Sequence, residues 1–411
     1  MAVKQPPFDP VFTTRDGKTE TFYVPAFRVE TGPNRGALSP IFDVQSLTVK
    51  EATNQLGSFE VTISASDWAP TEPSYPVMPG DFARIWLGYQ GPMGLFVMLT
   101  GQVNSVSLSL GAASRTLLVR GVSGLDRLRE GPNSKNWRSG RHKEPPIKYS
   151  EAVKQVAARY DGLTPIVPAA VKATEPDAQR LNQANESDMA FLVRLAQRRG
   201  YVVCFREFLA PPPAGQAGPR HSAQDPQRFL YFGPSNLLKQ PEGGQMGERP
   251  KPLELRWGLS LVDFKPTFTV SSSQFKKVTA SFWNRQKKKK EGPIVYTLDD
   301  LWTDEHGLNQ DLDPFIVRDA MGTSEVPEVP LDSLAEARDL ARATLRENFL
   351  GMVTADGTTV GQPELRSGSR VQVSGIGLLD GSWFLTSVTH TFDDNGYLTK
   401  FSARREHVEG A

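Results

Sequence analysis

Apolar residues fall along this chain in two rhythms. In the first third, short β-rich runs alternate with turn formers: Ile41-Phe42-Asp43-Val44, Phe59-Glu60-Val61-Thr62-Ile63, Phe82-Ala83-Arg84-Ile85-Trp86-Leu87 and Thr116-Leu117-Leu118-Val119 are each bounded by Gly, Pro, Asn or Ser. Aromatic and β-branched residues suit a pleated, half-buried surface, so these runs predict the strands of one antiparallel barrel or sandwich.

The middle third changes period. Ser150 precedes Val153, Val156, Ala157 and Tyr160 at i, i+3, i+4 and i+7, with Gly162 just beyond, which predicts a helix capped at Ser150. A second helix follows, with Asn185 or Ser187 as its cap, Asp188 at the positive end of its dipole, Leu192, Leu195 and Ala196 on its apolar face, and Gly200 as its stop. Tyr201-Val202-Val203-Cys204-Phe205 and Phe229-Leu230-Tyr231-Phe232 then read as two strands joined by a Pro/Gly-rich loop through 210–215.

The last third returns to strands, from Leu253-Glu254-Leu255-Arg256-Trp257 through Lys277 to Trp283. It holds one well-signalled helix: Ser333 with Glu336 forms a capping box, and Ala337, Leu340, Ala341, Thr344 and Leu345 supply one apolar face.

The two β regions follow the same script. Pro79-Gly80 leads into the strand from Phe82, and Ser367-Gly368 leads into Arg370-Val371-Gln372-Val373. Each continues through a Gly-rich turn into an aromatic-headed strand, Gly94-Leu95-Phe96-Val97 or Gly381-Ser382-Trp383-Phe384. A valine-bearing polar strand follows each (Val103 to Ser107, or Ser387 to Phe392), then a turn and a strand reaching Arg120 or Arg404. In the second copy Asn395-Gly396 is the pair favoured at a type I′ hairpin turn. This echo predicts two related β barrels flanking a central α/β insertion.

Composition narrows the function. With 47 Lys and Arg against 46 Asp and Glu, the net charge of +1 gives no global field toward nucleic acid or an anionic membrane. A lone cysteine, Cys204, makes no internal disulfide, and with five scattered histidines it forms no zinc-type cluster. The start MAVKQPPFDPVF lacks the apolar stretch of a signal peptide, so synthesis in the bacterial cytosol is expected. The uncharged window from Ile85 to Ser114 holds Gln90, Pro92, Gln102 and Asn104, so it is no membrane span.

The run from Gln183 to Ala196, QANESDMAFLVRLA, resembles the Q-x-N-E-S-D-x-x-F-L-x-R-L-A element of phage late-control D proteins, the baseplate hubs of contractile tails. Trp283-Asn284-Arg285, Gly361-Gln362-Pro363-Glu364-Leu365 and Gly368-Ser369-Arg370-Val371 are similar to the same family. The resemblance implies a mainly β fold with two tail-tube-like antiparallel barrels, spanning 1–130 and 251–411, around an α/β insertion at 131–250. It also implies a homotrimeric, non-enzymatic structural hub at the virion tail baseplate, or that of an equivalent injection particle. In such a hub three chains with two barrels each make a pseudo-sixfold ring between a sixfold tail tube and a threefold spike, and the uncharged window from Ile85 to Ser114 would serve as a tightly packed subunit interface. Type VI secretion spike proteins resemble the family but continue into a neck and needle. This chain stops at Ala411, so the spike is expected as a separate polypeptide. Expected partners are the tail tube, the spike, other baseplate proteins and the tape measure protein, with DNA only as passing cargo and no membrane insertion.

No catalytic, cofactor-binding or metal-binding residue is assigned, and no cofactor is expected. Cys204 sits mid-strand, where a buried inert thiol is expected. Glu364, Asp299, Asp300 and Asp304 read as surface acids rather than a glycosidase pair, and no P-loop, Rossmann, GxSxG or HExxH pattern occurs. The run Lys287-Lys288-Lys289-Lys290 reads as a solvated hairpin tip, balanced by the acidic segment from Asp299 to Glu305. Tryptophans 68, 86, 137, 257, 283, 302 and 383 read as core or interface anchors. The competing class is a tail-borne cell-wall hydrolase or glycan-binding protein.

Overall fold

The computed structural model describes residues 11–13, 19–21, 24–65, 77–90, 94–111, 115–138, 147–175, 178, 181–208, 227–235, 238, 253–269, 275–284, 287–304, 322–325 and 333–406. The predicted 210–215 loop and Trp68 lie outside them.

The first β region holds β1 (Val11–Thr13), β2 (Thr19–Thr21), β3 (Pro25–Gly32), β4 (Ser39–Pro40), β5 (Val44–Ala52), β6 (Ser58–Ser64), β7 (Phe82–Tyr89), β8 (Leu95–Leu110) and β9 (Arg115–Ser123). The predicted strand at 41–44 is displaced, because pairing begins only at Val44 and runs on to Ala52. Asp43, at φ 60°, breaks the extended backbone just before it. Along β6 the residues Phe59, Val61 and Ile63 are buried, with Glu60 and Thr62 between them half-buried, as a strand with one core face requires.

The central region holds β10 (Asn133–Arg138), α1 (Tyr149–Ala157), β11 (Leu163–Ile166), α2 (Ala169–Thr174), β12 (Leu181–Glu186), α3 (Asp188–Gln197), β13 (Val202–Phe208) and β14 (Gln227–Gly233). Strands β11, β14 and β13 form a small mixed sheet, and α1 and α3 share a core with it through Val153, Val156, Phe191, Leu192, Leu195 and Phe232. Ser150 is not the cap of α1. The helix starts at Tyr149 with Lys148 as its N-cap, two residues earlier, and the Ser150 amide donates to the Glu175 carboxylate instead. For α3 the open choice resolves to Ser187, whose hydroxyl accepts from the Ala190 amide at 3.2 Å.

The last region holds β15 (Leu253–Arg256), β16 (Leu261–Phe268), β17 (Phe275–Asn284), β18 (Lys289–Thr297), α4 (Leu298–Asp304), β19 (Gly322–Glu325), α5 (Leu334–Leu350), β20 (Val353–Val360), β21 (Arg370–Ser374), β22 (Gly381–Asp393) and β23 (Gly396–Arg405). Ser333 caps α5 as its sequence predicts, accepting from the Glu336 amide. The hairpin at 393–396 departs from the type I′ expectation. Only Gly396 has a positive φ there, and the Asp393 carboxylate accepts from the Asn395 amide, so the glycine follows the turn rather than sitting inside it.

One thirteen-stranded sheet, which curls as half of a barrel, runs through both β regions. Its path is β16-β20-β23-β22-β5-β6-β9-β8-β7-β3-β4, with β21 on β22 and β15 on β21. The order β16-β20-β23-β22-β21 repeats the order β5-β6-β9-β8-β7. Two bulges recur at matching places: between Val44 and Ser46 against Leu261 and Asp263, and between Val103 and Ser105 against Leu385 and Ser387. A bulge adds one residue to one strand and fixes local register, so both coincidences give the same residue-for-residue match of the copies. The connections differ. β5 and β6 are joined by a short turn, whereas the link from β16 to β20 carries β17, β18, α4, β19 and α5. From that link Val278, Tyr296, Ala341, Leu345 and Phe349 join the second core.

Candidate functional site: the seam and the polar sheet face

The two copies meet where β22 pairs antiparallel with β5, from Ser387 opposite Ala52 to Phe392 opposite Leu47. Its core face buries Leu47, Val49 and Val388, and Phe392 packs on Phe27 with ring centroids 4.6 Å apart. At about 25 cal/mol per Å² of apolar surface, each such side chain contributes on the order of 2 kcal/mol to holding the copies together.

Polar groups are sealed into the same seam. Glu51 on β5 pairs with Arg366, which precedes β21; the Arg366 Nε lies 2.8 Å from Glu51 Oε2, and its Nη2 donates to the Met98 carbonyl at 2.7 Å. One guanidinium therefore ties β5, β8 and the approach to β21. Burial pushes the Glu51 carboxyl up, but the Arg366 and Arg206 cations outweigh it and hold it below the usual carboxylate value. His390 on β22 is fully buried, and burial drives its pKa down to about 4, which keeps the imidazole neutral. Its Nε2 lies 2.9 Å from the Leu365 carbonyl, which needs an N–H donor, so Nδ1 is the acceptor and takes one hydrogen bond from the Tyr397 and Thr399 hydroxyls, which lie 2.9 and 3.0 Å away. Tyr89 of the first copy donates to the Gly361 carbonyl of the second at 2.6 Å.

The central region is pinned to this seam. Asn54, at φ 61° in the β5–β6 turn, donates its amide to the Val203 carbonyl and accepts the Val203 amide on its side chain. Thr100 on β8 donates to Glu207 at 2.7 Å.

On the face turned away from the cores, cross-strand rows read Asp356-Ser402-Ser387-Ala52, Thr358-Lys400-Thr389-Lys50-Ser58 and Thr391-Thr48-Glu60-Arg120-Ser105. The rows continue across the seam, where Ser387 opposes Ala52, Thr389 opposes Lys50 and Thr391 opposes Thr48. Their charges are paired or diluted: Glu60 meets Arg120 at 2.7 Å, and Ser402 donates to Asp356 at 2.8 Å. Such a face offers hydrogen bonds along its rows and an open pocket lined by Asp356, Thr358, Ser387, Thr389, Lys400 and Ser402.

Cys204 is buried, and burial raises its thiol to about 11, far from a nucleophile. Asp300 accepts from the Thr297 amide at the start of α4. Lys287–Lys290 lie at the β17–β18 hairpin, where Lys287 pairs with Glu291 at 2.8 Å. Trp86 and Trp383 are core residues, Trp137 stacks on Phe191, and Trp257 and Trp283 stand about half exposed. Among the described residues no cluster of His, Cys, Asp and Glu suits a metal ion. The QANESD element is a packing knot. Asp188 accepts from Gln183, Arg159, Tyr160 and Asn133, and Arg194 grips Glu186.

Sequence reading missed Glu51, Arg366 and His390, whose partners lie hundreds of residues away or across a strand. One local signal was present, the alternation of Leu47 and Val49 with Thr48 and Lys50, which marks β5 as a strand with a buried face.

No protein-family model and no curated protein matches the chain. Solved structures do. A tail protein from Neisseria meningitidis aligns with TM-score 0.60 and 16% identity over 93% of this chain and 97% of its own. A 43 kDa tail protein of prophage MuSo2 from Shewanella oneidensis gives TM-score 0.60 and 17% identity over 93% and 98%. An E. coli component of the type VI secretion system, described as structurally similar to the T4 bacteriophage tail proteins gp27 and gp5, gives TM-score 0.53 and 13% identity over 93% and 77%. The doubled strand order, the seam and the central α/β region thus build the fold shared by phage tail proteins and this secretion-system component.

Proposed function

We propose that the chain is a non-enzymatic structural hub of a contractile-tail or injection-system baseplate. Three copies form a pseudo-sixfold ring that joins a sixfold tail tube to a threefold spike. The observation that carries this reading is the duplication within one sheet: two matched strand sets, joined side by side, let three chains offer six equivalent seats. The functional units are a first tube-like barrel at 1–130, a central α/β insertion at 131–250 and a second tube-like barrel at 251–411. The polar face forms the ring's inner surface, where scattered hydroxyls and locally neutralised charge let cargo pass without adhering. The barrel rims bind tube protein on one side and spike on the other, with further baseplate proteins around the outside.

The native mass of the purified chain, alone and with its spike, tests this. The expected species is three times 45.3 kDa, or a three-to-three complex with the spike. A monomer under both conditions contradicts it, as does lytic activity on cell-wall glycan that a single carboxylate substitution abolishes.

A further inference from the structure

The seam inside the chain is also a template for a contact between chains. Strand β22 is paired on one side by β23 along its length and on the other by β21 and then by β5. Its counterpart β8 is paired on one side by β9 and on the other by β7, but only as far as Val103, which bonds Gly80 and Asp81. From Asn104 to Leu110 the second edge of β8 meets no strand among the described residues. At the far end of the sheet β16, the counterpart of β5, pairs with β20 on one edge, and beyond a single bridge from Trp257 to Leu261 its other edge meets no strand among the described residues. Among the described residues the sheet therefore leaves open two half-seams of the kind that, within the chain, close on each other.

We infer that the 105–110 edge of β8 in one chain pairs antiparallel with the 264–269 edge of β16 in the next, in the register of the internal seam. This rests on the ring proposed above and supplies its chain-to-chain bond. The matched bulges set Ser105 to Ser387 and Leu110 to Phe392, and likewise Phe264 to Leu47 and Thr269 to Ala52. Transferring the seam's pairs gives Ser105 opposite Thr269, Val106 opposite Phe268, Ser107 opposite Thr267, Leu108 opposite Pro266, Ser109 opposite Lys265 and Leu110 opposite Phe264.

Three independent features fit. Backbone direction agrees: the Thr53 amide points across the seam to the Thr386 carbonyl, while the Thr269 amide points inward to Met352. Amides alternate sides along a strand, so those of Phe264 and Phe268 face the open edge as those of Leu47 and Glu51 face the seam. Apolar surface agrees: Leu110 is 69% exposed and Phe268 43%, large side chains left in water on the two edges that would cover them, whereas the seam's Val388, Leu47 and Val49 are at most 1% exposed. Charge agrees, because Lys265 meets Ser109 and no like charges oppose. Pro266 sits where Val49 sits in the seam with its nitrogen toward the edge, so the junction has one amide fewer than the seam. A proline there also discourages indiscriminate strand addition, which is how open edges are kept specific.

Ser107 and Thr267 fall at a non-hydrogen-bonded position, where opposed Cα atoms lie within disulfide reach. The full-length Ser107→Cys/Thr267→Cys double variant, oxidised in solution, is expected to run as a covalent trimer on a non-reducing gel, and each single variant as a monomer. Asp263→Cys paired with Ser107→Cys moves the thiol roughly 13 Å along the strand and should give little cross-linking. As a second readout, Leu110→Lys, at an exposed position, should weaken the native trimer about tenfold or more while leaving the monomer folded. A native trimer in which 107 and 267 fail to cross-link, or in which 107 and 263 link equally well, overturns this pairing and leaves the hub reading standing. A chain that stays monomeric and uncross-linked overturns both.

Discussion

The two copies of the strand set hold matching positions with opposite chemistry. In the first copy Leu108, Leu117 and Ile63 occupy three matched places; in the second these are His390, Thr399 and Thr359, all fully buried. The first copy is apolar there and keeps an open edge at Leu108. The second is polar there because its edge is closed, on β5 and beneath the 361–366 segment, whose carbonyls and amides need partners. A fold can thus be duplicated while the side chains at one seat are re-chosen by what covers them. Burial with full hydrogen bonding lets the polar trio stand in for apolar residues.

The comparison breaks most severely at the seam's ion pair. Arg366→Ala leaves Glu51 buried without its hydrogen-bonded partner and with only Arg206 as a nearby cation, and a loss of about 3–5 kcal/mol in urea unfolding is expected. The exposed pair of the first copy, Glu60 with Arg120, should cost at most about 1 kcal/mol when Arg120→Ala removes it. Equal losses would mean that the seam does not hold the copies together.

Next come the two turn glycines. Gly368 has φ +78°, and a Cβ there would lie 2.6 Å from Leu238, 2.9 Å from Cys204 and 3.3 Å from Arg206. Gly80 has φ +100° but nothing within 4 Å. Valine at 368 meets both backbone strain and overpacking, about 3 kcal/mol or more, whereas valine at 80 meets strain alone, about 1–2 kcal/mol. Melting temperatures of the two variants check the order, which should also appear in the yield of assembled particles.

The smallest effect is the most specific to the second copy. Between pH 6.5 and about 4 the unfolded chain protonates His390 while the folded chain does not. Stability is therefore full above pH 6.5 and falls as pH drops through that window, by about 3 kcal/mol at its end and less at pH 5. His390→Leu, which installs the first copy's residue, should flatten the change in urea midpoint between pH 7 and 5 even if it lowers both values. An unchanged slope would place the titrating group elsewhere.

How much of this was legible in the sequence depends on range. Capping at Ser187 and Ser333, the strand at 58–64 and the echo of strand and turn are local patterns, and local chemistry fixes them. The long-range pairs were not legible. Nothing near Glu51 announces Arg366, and nothing near Ser150 announces the Glu175 carboxylate that displaces it as a cap. The strand predicted at 41–44 was displaced from β5 because Ile41, Phe42 and Val44 carry the local β signal, while the charged Lys50 and Glu51 dilute that of 44–52. The interface potential of the window from Ile85 to Ser114 was legible as missing charge, and its open stretch along β8 is where the ring contact is inferred.

The most direct measurement of the central claim is end-on electron microscopy of the purified oligomer. A closed ring of three chains with six near-equivalent wall segments around an opening is expected. An open chain of subunits, or a ring with three unlike lobes and no sixfold repeat, would contradict it.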